Sequence, residues 1–133
     1  MSKTVWSRPD KDRMTAWVEK WRGLLMLNSY QIMLVWSSTA NTENALCSAE
    51  IRILYPYRSG HTITFYPHFL DDTMPDQERM VVHELCHLIT NPLSELASFL
   101  LDGNLVTRKN LETEDEHVTD WLANILVALQ EHQ

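Results

Sequence analysis

In the stretch MVVHELCHLITNP (80–92), His83 and His87 stand four residues apart, with Glu84 beside the first. On a helix, positions i and i+4 differ by about 40° around the axis and one turn along it. Both imidazoles then point the same way and can share one tetrahedral zinc ion. A carboxylate at Glu84 would stand next to that ion and could take a proton from water activated by it, then pass the proton to a leaving amine. Chance is a poor source of the pattern: 6 histidines and 10 glutamates in random order over 133 residues would give about 0.02 matches to H-E-x-x-H. The plain alternative is a core helix with two satisfied histidines. The apolar neighbours Val81, Val82, Leu85, Cys86, Leu88 and Ile89 make that costly, because a buried imidazole needs partners.

A catalytic zinc site takes three protein ligands and leaves one position open. The extension H-x-x-G-x-x-H is absent, since residues 88–94 read LITNPLS. The third ligand must therefore come from further along. The stretch LETEDEHVTD (111–120) offers Glu112, Glu114, Asp115, Glu116, His117 and Asp120. Glu116 and Asp120 share a helical face. Glu116 as ligand, with Asp120 accepting the free N–H of a zinc histidine and fixing its tautomer, is a coherent pair. Thr113 and Glu116 also fit a capping box, T-x-x-E, in which Glu116 would serve the backbone; Glu112 is then the alternative ligand. His117 projects about 100° away from Glu116. Cys86, displaced from the histidine face, reads as a buried structural thiol.

HELCH followed by E-x-x-x-D resembles the gluzincin branch of zinc metallopeptidases, in which a glutamate on a downstream helix is the third ligand. The whole arrangement, over roughly residues 13–130, resembles the minigluzincins and the compact zincin-like proteins of phages and mobile elements. The resemblance implies a minimal zincin-like α+β domain. It would have an N-terminal helix, a small and mostly antiparallel three-stranded sheet, the HExxH helix and a C-terminal helix bearing the glutamate. It further implies one zinc ion per chain and hydrolysis of a peptide or protein segment, with Glu84 as general base. At the cleft rim of this fold an edge strand can pair with an extended substrate; HTITFYP and CSAEIRILY are both candidates. Larger gluzincins carry a tyrosine or histidine downstream that stabilises the oxyanion. No tyrosine follows Tyr66 here, and only His117 and His132 remain, with Arg108 or a residue of the sheet as substitutes. That departure keeps a second class open: a zinc-stabilised binding or regulatory module with little turnover.

Several elements must position these residues. Met14, Trp17, Val18, Trp21, Leu24 and Leu25 recur at helical spacing over Arg13–Leu27, after a polar lead-in at 1–12 in which Trp6 docks loosely. YQIMLVW (30–36), CSAEIRILY (47–55) and HTITFYP (61–67) read as strands, and His61, His68, Tyr57 and Tyr66 as surface or strand-packing residues. Pro75 suits a first helical turn, and the helix over 76–90 is expected to stop at Pro92. A short helix over 93–101 and a helix from Leu111 to Gln130 complete the chain, with 13–133 as one domain. A formal charge of −7 argues against a nucleic-acid partner. Two cysteines suit a reducing compartment. No apolar N-terminal run and no span of about 18 apolar residues appear, so neither a signal peptide nor a membrane segment is expected and the expected address is cytoplasmic.

Overall fold

A computed structural model describes residues 5–103 and 105–131. Helix α1 spans Arg8–Leu24, five residues earlier than the apolar spacing alone suggests. Its start is chemical: the Ser7 hydroxyl accepts the Asp10 N–H at 3.2 Å and the Asp10 carboxylate accepts the Ser7 N–H at 3.2 Å, with Pro9 in the first turn. Nor does Trp6 dock loosely. It is 4% exposed, packs against Phe65 and Phe69, and donates its indole N–H to the Ser37 carbonyl at 2.6 Å. The described part of the lead-in is therefore fastened to the core.

Strands β1 (Ile32–Trp36), β2 (Ala49–Arg52) and β3 (His61–Phe65) form one sheet in the order β1-β3-β2. β2 pairs antiparallel with β3, but β1 pairs parallel with it, so the sheet is mixed and not mostly antiparallel. A parallel pair needs a crossover of a dozen or more residues. Residues 37–60 supply it and carry β2 to the far side of β3 on the way. His61, Ile63 and Phe65 alternate into the core. His61 is 1% exposed; its Nδ1 accepts the Leu54 N–H at 3.1 Å, so Nε2 carries the proton and donates to the Tyr57 carbonyl at 2.8 Å. It is a strand-packing residue that fastens the β2–β3 loop.

A 3₁₀ turn (Pro67–Asp71) leads to α2, which runs unbroken over Met74–Leu101, 28 residues. The expected stop at Pro92 does not occur. Proline cannot donate to the Leu88 carbonyl, a loss of about 3 kcal/mol in a helix interior, but Leu93 and Leu96 beyond it pack into the core and offset that loss. α3 spans Arg108–Glu131 and is capped by Thr107, whose hydroxyl accepts the Asn110 N–H at 3.1 Å. Thr113 and Glu116 lie inside this helix, so they do not form its capping box. α2 packs against α1, α3 and β2. Trp6→Ala should lower stability by about 3–5 kcal/mol in a chemical melt; a change below about 0.5 kcal/mol would mean the tail is indeed loose.

Candidate metal centre

α2 carries His83, Glu84 and His87 to the edge of the sheet. One ligand atom from each lies within 4.8 Å of the others, a group that could hold a metal ion. The two rings sit 4.9 Å apart between centroids at 88°, both on the exposed flank of the helix, while Glu84 is 6% exposed. This donor set fits a divalent ion. Burial and the neighbouring His83 hold His87 below the usual imidazole range, so it offers a lone pair at neutral pH.

Glu84 is oriented by the sheet. Its Oε2 accepts the Ile51 N–H at 2.9 Å, a donor on the side of β2 that faces away from β3. That contact leaves Oε1 as the oxygen available beside the imidazoles. Burial pushes the Glu84 carboxyl up to about 7; the Ile51 hydrogen bond opposes this and the nearby Glu50 charge adds to it. β2 is thus the edge strand at the cleft, and HTITFYP supplies the central strand β3.

Sequence reasoning did not mark three groups that meet here. Glu50, exposed on β2 and accepting the Tyr66 hydroxyl, lines one depression with Glu84, His87 and Asn91. Tyr66 lines a neighbouring depression that Glu50 also borders. Asn91, one turn beyond His87, has a buried Nδ2 without a hydrogen-bond partner. Its spacing, H-x-x-x-N, was a signal within reach. The backbone N–H of Ile51 carries none, because any residue would supply it.

The acidic residues of α3 are not in the group. Val118 and Ile125 are buried, whereas Glu116 and Glu112 are exposed on α3 and are not among the three grouped donors. Asp120 lines a separate cavity with Ile89 and Pro92. Ile89 lies about 200° and Pro92 about 140° around α2 from His87, so Asp120 is on the flank of α2 away from the imidazoles and does not orient them. Arg108 is also exposed, at the start of α3; His117 pairs with Glu114 at 3.8 Å, and His132 lies outside the described residues. Cys86 is half-buried, its thiol pushed up by burial, and is not one of the three donors.

Comparison with family models, curated proteins and solved structures finds no match to this chain. The class that the described residues define is an α+β domain of three α-helices and a small mixed sheet, with a His-Glu-His group able to hold a metal ion. Among the described residues, no helix is long and apolar enough to cross a membrane.

The raised Glu84 carboxyl sets a pH dependence for metal-free protein. A folded-state value of about 7 against the ordinary 4.5 favours the folded state fully below pH 4.5, and that advantage is lost as pH rises to about 7. With chelator present, wild-type stability should fall by on the order of 3 kcal/mol relative to Glu84→Gln across that window. Parallel pH profiles for the two proteins would show that the carboxyl is not buried as described.

Proposed function

We propose that this chain is a compact zinc-dependent peptidase, with His83 and His87 holding the ion and Glu84 as general base. The observation that carries the reading is the convergence of two imidazoles and a buried carboxylate within 4.8 Å. A bound zinc ion would supply polarisation of a carbonyl and acidification of water to a pKa of about 7. The chain's own residues supply the rest. The ring nitrogens of His83 and His87 donate lone pairs, and the Ile51 N–H fixes Oε2 of Glu84. Oε1 takes the proton from the attacking water and returns it to the leaving amine. The substrate is a peptide or protein segment, reaching the site along the depression beside β2, and the proposed setting is cytoplasmic.

Spacing favours Glu116 as third ligand, with Glu112 as alternative, but neither carboxylate is grouped with the three donors. We therefore expect Glu116→Ala and Glu112→Ala each to retain zinc. Loss of zinc from the folded Glu116→Ala protein would instead mean that α3 moves its carboxylate to the ion on binding. The same absence of an α3 ligand supports a second reading, a zinc-stabilised binding or regulatory module. Glu84→Gln separates the two. Peptidase turnover in the wild type, reduced at least about 100-fold in Glu84→Gln with zinc retained, is expected of an enzyme; no turnover on any peptide by zinc-loaded wild type would favour the module.

A further inference from the structure

Glu114 and Asp120 of α3, which the metal group does not use, line a cavity of about 460 Å³ on the other side of α2 from the imidazoles. That volume lies within the range of small-molecule sites. Its walls come from four places in the chain. Tyr30 and Trp121 stack at 5.8 Å and 27° to form an aromatic side, and Ile89, Pro92 and Val118 make an apolar floor. Arg58, from the loop between β2 and β3, holds its guanidinium 5.4 Å from the Tyr30 ring and donates to the Ser29 hydroxyl. Glu114, with the His117 ring 3.8 Å from its carboxylate, and Asp120 stand on α3.

Charges of opposite sign thus enter one cavity from different elements. A purely cationic ligand would meet Arg58, and a purely anionic one would meet the two carboxylates. A ligand of no net charge but with separated ends satisfies both walls, because a guanidinium pairs with a carboxylate in bidentate geometry and carboxylates take an ammonium. The apolar floor calls for a hydrocarbon side chain between the two ends. We propose that this cavity binds a small zwitterion with an apolar side chain, of the class of a free amino acid or a dipeptide. The carboxylate would lie toward Arg58 and the ammonium toward Glu114 and Asp120. The proposal does not depend on the metal centre.

The test is a titration followed by the amide and indole signals of Val118 and Trp121 in NMR, with L-leucine and leucyl-leucine as probes. Leucinamide lacks the carboxylate and N-acetyl-leucine lacks the ammonium. At least one zwitterion should give saturable shifts, with each capped form at least about tenfold weaker; the better of the two probes identifies amino acid or dipeptide as the ligand. Arg58→Gln should erase the preference over leucinamide. Glu114→Gln combined with Asp120→Asn should erase the preference over N-acetyl-leucine. His83→Ala should bind as the wild type does. Absence of saturable shifts with both zwitterions, or equal binding of the capped forms, would overturn the assignment. Loss of binding in folded His83→Ala protein would overturn the independence of the two sites.

Discussion

The site rests on a single contact, the hydrogen bond from the Ile51 N–H to the Glu84 carboxylate. A carboxylate 6% exposed is expensive to keep in a protein interior unless something donates to it. The donor is an edge-strand amide that β3 cannot use, because it faces away from the sheet. One bond thereby satisfies an outward-facing amide of β2, tells α2 which rotation to adopt, and places His83 and His87 on the exposed side of the same helix. Rotating α2 by one residue would bury an imidazole against β2 and expose Glu84.

The remaining elements secure that placement from behind. α1 packs along α2, and Arg13 donates to the buried Gln77 at 3.1 Å. α3 is fastened to the end of α1 by the Trp121 indole, which donates to the Leu25 carbonyl at 2.7 Å. That anchor directs Val118 and Ile125 inward and so decides that Glu116 points out. Placement of the acidic residues is a consequence of aromatic and aliphatic packing, and the carboxylates themselves have little say in it.

What the sequence made legible follows from how local each signal is. The histidine pair was readable because helix geometry alone brings i and i+4 together. Period-two alternation located β2, and helical spacing located α1 and α3, with ends that the Ser7–Asp10 and Thr107–Asn110 caps fix more closely than apolar residues do. Pro92 misled because its local cost is real and is outweighed by the packing of Leu93 and Leu96, which only the tertiary structure reveals. The parallel pairing of β1 with β3, the Ile51 amide and the outward turn of Glu116 all depend on contacts between residues distant in sequence. No periodicity encodes those.

The most direct test of the account is the zinc content of purified wild-type protein beside His83→Ala and His87→Ala, each confirmed as folded. About one zinc per wild-type chain, lost or weakened at least about tenfold in both variants, is the expected result. No zinc in the wild type after reconstitution, or zinc held equally by all three proteins, would contradict the metal centre and return the histidine pair to the status of side chains on an ordinary helix.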